Sequence, residues 1–392
     1  MKRVNVLFVM PQMGMGGSER LVHSLVLKLD RNQFNPSVAW FFGREVLKEF
    51  ADLNVPLHFV PKTRRFDFPA MLAIRRVVQG NKIDVVIAQH FMSAVYAYYA
   101  CKIGGSTPLV FVAHSRWEID ELPLRWKIVG GYLLRRIVRC VGVARDVSRA
   151  IQDTFRTHSN TETIENGVEL AAFKREQGAS GMRASFGIGP EHVAIGIVAN
   201  LKRVKNHMLL LEAFAQVAAR CASVKLLIVG QGFAGDEDNT EAQLREFVSS
   251  NGLASKVTFL GYRTDIPDIL RVLDIFCLTS LKEGLPISIV EAMAVGLPIV
   301  CTNVEGIRDV VSNDEDAILV ELGDVAALTA ALLDLVGDRQ KRISFGEAGR
   351  AKATRKYALQ RCIHEYEKLI HSIVVQACPS EVDESQPPDA KQ

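Results

Sequence analysis

Apolar residues along this chain fall into two successive series of short runs. Residues 4–10, 37–42, 84–88, 109–113 and 139–143 form the first, and the stretches between them carry apolar positions at helical spacing. The second repeats the plan over 193–198, 224–229, 257–260, 274–278, 298–301 and 317–320. Strands that are apolar at nearly every position are buried on both faces, as in a parallel sheet covered by helices. The pattern therefore predicts an α/β chain of two Rossmann-like, doubly wound parallel-sheet domains. Between the series, 174–190 is rich in glycine (Gly178, Gly181, Gly187, Gly189) and reads as a linker. This places an N-terminal domain over 1–180 and a C-terminal domain over 190–356. Tyr357, Ile363, Tyr366, Ile370 and Ile373 lie at near-helical spacing, so a closing amphipathic helix is expected over 357–374. The stretch 379–392, rich in Pro, Ser, Gln and acidic residues, is expected to be disordered. Two such domains imply a cleft, and ligands of open parallel sheets bind beyond the carboxyl ends of the strands.

Composition narrows the classes. At 392 residues, with 48% apolar and 23% charged positions, the chain is long enough for more than one core. A net charge of +3 is too small to argue for a nucleic-acid partner. The seven cysteines are scattered without a close pair, which indicates neither a zinc site nor a disulfide framework and favours a reducing compartment. Lys2 and Arg3 precede an apolar run that ends at Pro11 without a small-residue cleavage site, so it reads as a first strand rather than a leader. No run approaches the roughly 18 apolar residues of a membrane span. A cytoplasmic protein, soluble or peripheral, is expected.

The chemistry gathers around two glutamates. Glu283 and Glu291 flank the start of a short helix predicted over 287–295, with Pro286 suited to its first turn and Gly296 and Pro298 to its end. Ile289, Val290, Ala292 and Met293 leave Glu291 as the polar position of a buried element, where a carboxylate needs donors; a sugar diol is one such pair. A structural ion pair, for example with Arg308, accounts for Glu291 equally well on these residues alone. Glu283 lies in the loop before the helix, where unpaired N–H groups also favour a phosphate.

Other strand-end loops add candidates. Gly14, Gly16 and Gly17 follow the first strand, with Ser18 as a helix cap, but Glu19 stands where a dinucleotide fingerprint has its third glycine, which disfavours a dehydrogenase. The loop suits close backbone approach to a ligand, or simply a tight turn. His114 follows the strand 109–113, at a ligand-facing end. Asn200, Lys202, Arg203 and Lys205 follow the first strand of the second series, where clustered cations suit a phosphate or a solvated surface.

Taken together, these residues resemble the retaining glycosyltransferases of family 4, with the GT-B architecture. The likeness runs to about residue 373 and is strongest in the block 280–300 around Glu283 and Glu291. Gly16-Gly17-Ser18-Glu19, His114, Glu165-Asn166-Gly167-Val168, Lys205-Asn206, Val229-Gly230, and Gly261-Tyr262 ahead of Asp265-Ile266-Pro267 support it. The resemblance implies that Glu291 holds the ribose hydroxyls of a sugar nucleotide, Glu283 approaches the donor sugar and Lys205 binds the diphosphate. By the same likeness His114 lies near the sugar and acceptor, so His114, Glu283 and Lys205 would carry catalysis. The Gly16-Gly17 loop would close on the phosphates, Tyr262 and Arg263 would frame the base, and Gly230 with the helix start at Leu285, Pro286 and Ile287 would complete the donor site. Where the family usually has an arginine, this chain has Asn200, leaving Lys202 or Arg203 to supply a second charge.

The implied reaction moves a hexosyl or N-acetylhexosaminyl group from a UDP-sugar, or next a GDP-sugar, to a hydroxyl of a glycan or lipid-linked acceptor. The setting would be polysaccharide or lipopolysaccharide synthesis, with anomeric configuration kept and no metal or other cofactor. A sugar-nucleotide epimerase, a phosphorylase and a non-catalytic scaffold are the alternatives. Between Arg116 and Arg139, tryptophans Trp117 and Trp126 interleave with Arg125, Lys127, Arg135 and Arg136; if helical, Arg135, Arg136 and Arg139 share a face. That suits an anionic membrane at the inner face, or a solvated surface above two core tryptophans.

Overall fold

The computed structural model describes residues 3–14, 16–64, 66–103, 105–173, 180–232 and 235–377. The expected tail 379–392 and the 174–179 part of the expected linker lie outside the described residues. By internal contacts the chain forms two units, Met1–Glu165 with Arg361–Gln392, and Asn166–Gln360.

The first unit holds a seven-stranded sheet of β1 (Val4–Gln12), β2 (Phe34–Phe42), β3 (Leu57–Phe59), β4 (Val85–Gln89), β5 (Leu109–Ala113), β6 (Arg139–Gly142) and β7 (Thr161–Thr163). All pairings are parallel, in the order β3-β2-β1-β4-β5-β6-β7, so the order reverses at β1. Val6 stands opposite Pro36 on one side and Val85 on the other. β4 and β5 are buried throughout, as continuous apolar runs require.

The second unit repeats the plan with β8 (Val193–Val198), β9 (Val224–Val229), β10 (Val257–Gly261), β11 (Ile275–Leu278), β12 (Ile299–Thr302) and β13 (Ala317–Val320). Its six strands run β10-β9-β8-β11-β12-β13, again all parallel, with the reversal at β8. A reversal of order opens a crevice at the strand ends on either side of it, here after β1 and β4 in one unit and after β8 and β11 in the other.

Three expectations change. The edge strands β3 and β7 are absent from the sequence reading, because each is three residues long and only partly buried, too short and polar to form an apolar run. The unit boundary falls at 165/166 rather than near 180. Hydrogen bonds explain it: Val168 N–H donates to Tyr357 O, and Arg183 donates to Val272 O and Asp274, so both segments are tied into the second unit. Tyr357 is likewise a buried residue of that unit, donating to Asp309 O, and the final helix spans Leu359–Ala377. That helix buries Ile363, Tyr366, Ile370 and Ile373, and Glu367 accepts from Asp30 N–H of the first unit, to which the helix belongs from Arg361 onward.

The cysteines behave as core residues. Cys101, Cys140, Cys277, Cys301 and Cys362 are buried, and burial pushes the Cys101 thiol up to about 12. Among the described residues no helix is long and apolar enough to cross a membrane.

Candidate functional site

In the second unit the loops after β8 and β11 are laced together by their backbones. Arg203–Lys205 makes one turn of 3-10 helix, Asn206 takes a left-handed conformation (φ 46°), and the helix His207–Arg220 follows. Leu281 N–H donates to Val204 O, and the Thr279 hydroxyl donates to Asn206 O at 2.9 Å. This fixes Lys205 against Glu283: Nζ lies 2.7 Å from Oε1, which also accepts from the Ser280 hydroxyl at 2.6 Å. The Glu283 side chain is 9% exposed, so its charge needs these donors, whereas Lys205 keeps 27% exposure.

Glu291 lies on the helix Ile287–Val295, the bounds expected from Pro286 and Gly296, with Gly296 in the left-handed region (φ 86°). It is 7% exposed, and its neighbours Ile289, Val290, Ala292 and Met293 are wholly buried. Leu285 and Pro286 are buried at the start of this helix and Ile287 is half-buried. Arg308, the structural partner considered for Glu291, donates to Asn303.

Two glycines hold this geometry. A Cβ on Gly230, whose φ is +139°, would sit 2.0 Å from Ala199 O, so the β8 and β9 loops touch only because this residue has no side chain. A Cβ on Gly306 would sit 2.2 Å from Gly284 O and 2.4 Å from Glu283 O, so the turn Glu305–Arg308 presses on the backbone that carries Glu283. Gly306 lies outside the motifs that drew attention in the sequence; only its place between two short apolar segments marks it.

The remaining candidates of this unit divide. Lys202 is engaged by Asp236 at 2.7 Å, and Arg263 by both oxygens of Asp265 at 2.8 and 2.5 Å. Arg203 is exposed and makes no ion pair among the described residues. Asn200 is exposed and accepts from Lys202 N–H through its carbonyl, and Tyr262 is half exposed beyond β10. His207, missed in the sequence, is buried beside this loop; burial and the Lys205 charge push it down to about 4, so it is neutral.

In the first unit Gly16, not Ser18, caps the helix Gly17–Lys28. The Ser18 hydroxyl instead donates to Glu19 at 2.8 Å, and the Glu19 carboxylate folds under the loop: a Cβ on Gly16 would lie 2.7 Å from its Oε2. Gly17 has open space around it. His114 sits at the end of β5, with Nε2 2.7 Å from Gln89 Oε1. Burial and the neighbouring His90 hold its pKa well below the ordinary histidine value. His90, at the end of β4, and Glu118 complete this cluster; the sequence signal for them was a histidine closing the β4 run and a glutamate four positions after His114.

The run 116–139 is not one helix. Arg116–Asp120 and Leu124–Leu134 are helical, and Arg139 opens β6 and pairs with Glu162, so Arg135, Arg136 and Arg139 share no helical face. Trp126 is buried while Trp117 is exposed.

Two family models match the chain: Glycosyltransferase Family 4 over residues 15–172 and Glycosyl transferases group 1 over 181–352. The chain is similar, at 23% identity over 306 residues, to the UDP-Gal:alpha-D-GlcNAc-diphosphoundecaprenol alpha-1,3-galactosyltransferase of Escherichia coli, with 75% of this chain and 78% of that one aligned. It is 25% identical over 332 residues to the N-acetyl-alpha-D-glucosaminyl L-malate synthase of Bacillus anthracis, covering 83% and 84% of the two chains. Among solved structures, HepE of Anabaena in complex with UDP and glucose superposes with a TM-score of 0.85 at 21% identity, covering 94% of this chain and all of that one.

Proposed function

The chain belongs to the group 1, family 4 glycosyltransferases, enzymes of the GT-B architecture, and from its site we propose a retaining transfer of a sugar from a nucleotide diphosphate to an acceptor hydroxyl. The observation that carries the reading is the Lys205–Glu283 contact at the ends of β8 and β11, with Glu291 buried on the helix that follows. In this reading Lys205 turns to the diphosphate when the donor binds, which releases the Glu283 carboxylate toward the sugar. Glu291 takes the ribose hydroxyls. Departure of the diphosphate builds negative charge on its oxygens, and Lys205 with the helix start after Pro286 stabilises it there, so the reaction as proposed calls for no metal or other cofactor. Arg203 supplies the second cation in place of an arginine at Asn200, since Lys202 is engaged by Asp236.

A UDP-sugar is the favoured donor, with a GDP-sugar next: the E. coli relative is named for UDP-Gal, and the HepE structure contains UDP. A glycan or lipid-linked acceptor in polysaccharide or lipopolysaccharide synthesis fits the same relative, whose name specifies a diphosphoundecaprenol acceptor. The two relatives named above carry the names of a galactosyltransferase and a synthase, not of an epimerase.

A thermal-shift panel of UDP, GDP, ADP and their sugars tests the reading, because a ligand of the folded state raises the midpoint. UDP and one UDP-sugar should give the largest shifts. A chain that responds to no nucleotide would refute the donor site.

We further propose that the first unit contacts an anionic membrane surface at the cytoplasmic side. On the helix Leu124–Leu134, Leu124, Ile128 and Tyr132 recur every four residues and are 74%, 66% and 53% exposed. Arg125, Lys127, Arg135 and Arg136 surround them, with the Arg136 guanidinium 3.7 Å over the Tyr132 ring. An apolar stripe inside a basic rim matches a bilayer of anionic lipids in both hydrophobicity and charge.

A further inference from the structure

At the ends of β4 and β5 lies a charged cluster that the donor reading leaves unused. Glu118, in the first turn of the helix Arg116–Asp120, accepts from Phe91 N–H at 2.7 Å through Oε1. Its Oε2 meets His90 Nδ1 at 3.0 Å and accepts from His114 N–H at 3.3 Å. One carboxylate therefore ties the loop after β4 to the loop after β5. His90 has φ 66° and ψ 153°, a backbone region open chiefly to glycine, which a histidine keeps only where its surroundings over-determine it. Its ring lies 4.8 Å from the His114 ring. Gln89, wholly buried, engages His114 through Oε1, while its Nε2 finds no hydrogen-bond partner among the described residues.

With Nδ1 committed to Glu118, His90 has Nε2 left for a ligand, and its side chain is 31% exposed. We propose that His90 is an acceptor-binding residue whose neutral Nε2 accepts the hydrogen bond of the acceptor hydroxyl, and that Glu118 is its positioning residue. The glycosyl-transfer reading supplies the identity of that hydroxyl; the dyad itself stands on its own geometry. Among the described residues, the charged and titratable groups that face His90 are Glu118 from the short helix, Glu19 from the helix after β1, and His114 from the end of β5. Two carboxylates with no lysine or arginine among them suit a hydroxylated, uncharged ligand rather than a phosphate.

The same groups divide the protonation states. Burial pulls the His90 pKa down, but the Glu118 charge, its hydrogen bond and Glu19 outweigh it, so the imidazole lies above its ordinary value. His114 lies well below. Of the two rings, His90 is then the one that takes up a proton first on acidification, and the hydroxyl contact is lost as pH falls through a pKa that the Glu118 charge raises.

The test uses the full chain with two readouts. In ring-nitrogen NMR, His90 should titrate above free histidine, and Glu118→Gln, which keeps an oxygen for the Phe91 N–H, should raise its acid dissociation constant by about tenfold or more. The second is transfer to octyl glucoside from whichever UDP-sugar gives the largest thermal shift. There E118Q should move the acid limb of kcat/KM to lower pH. His90→Gln should lower kcat/KM for octyl glucoside about tenfold and leave the nucleotide-induced shift intact. An unmoved His90 titration and acid limb in E118Q, or a His90→Gln variant that transfers at the parent rate, overturns the proposal. If no nucleotide shifts the parent chain, the donor reading fails instead, and the ring titration still decides the dyad.

Discussion

Lys205 Nζ and Glu283 Oε1 are 2.7 Å apart, and the Ser280 hydroxyl donates to the same oxygen. The pair joins the two strand-end loops that flank the order reversal of the second sheet. Lys205→Met removes the ammonium from a carboxylate that is 9% exposed, and should cost about 1–3 kcal/mol in urea denaturation. Turnover should fall by about 10²–10³, the effect of losing one donor to developing charge. Adding Glu283→Gln should recover most of the stability and none of the turnover. Full activity in the single variant would remove Lys205 from the mechanism.

Glu291 is held among the wholly buried Ile289, Val290, Ala292 and Met293 of its helix. Glu291→Ala should fold, because alanine suits a helix interior, and should abolish both turnover and the nucleotide-induced rise in melting temperature. A variant with a parental nucleotide shift would leave Glu291 as a structural carboxylate.

The Gly306 contact predicts a change of activity from a residue with no chemistry of its own. In Gly306→Ala the methyl group meets Gly284 O at 2.2 Å, and the backbone of 283–284 has to move. A displacement on the scale of an ångström at a reacting group costs about 10²-fold in rate. kcat should therefore fall further than the loss of stability explains, as kinetics at a temperature well below the variant's melting point would show.

Much of this was legible in the sequence because the signals were periodic or terminal. The continuous apolar runs marked the buried strands, and Pro286 with Gly296 marked both ends of the Glu291 helix. Two kinds of feature were not legible. β3 and β7 are held by pairing to β2 and β6, so little in their own residues announces a strand. The Lys205–Glu283 and His90–Glu118 contacts join residues 78 and 28 positions apart, and only the sheet order brings each pair together. The basic run 116–139 misled for a related reason: its charges suggested one helical face, but the chain turns at Pro123 and leaves the helix at Arg135.

His207 gives a pH dependence whose sign follows from its burial. Its folded pKa of about 4 lies below the ordinary 6.5, so on acidification the unfolded chain takes up a proton first. The stabilisation is fully present above about pH 6.5 and is lost as pH falls toward 4, by about 2 kcal/mol at pH 5. His207→Leu lacks this term. Relative to the parent, its stability should improve steadily from pH 7 to pH 5, and parallel curves in urea denaturation at several pH values would rule the assignment out.

The exposed stripe on Leu124–Leu134 makes the membrane proposal testable on the intact chain. Leu124 and Ile128 each contribute about 1.5–3 kcal/mol on full burial, while each basic residue adds about 1 kcal/mol near an anionic surface. The parent should sediment with vesicles rich in anionic lipid at low salt. It should release as salt shortens the Debye length, and it should ignore zwitterionic vesicles. Leu124→Ser with Ile128→Ser removes the apolar part and should weaken partitioning by about tenfold or more at constant charge. Arg125→Glu with Arg136→Glu removes the basic part and should abolish the salt dependence. If the parent stays in the supernatant with anionic vesicles at low salt, the stripe has another partner.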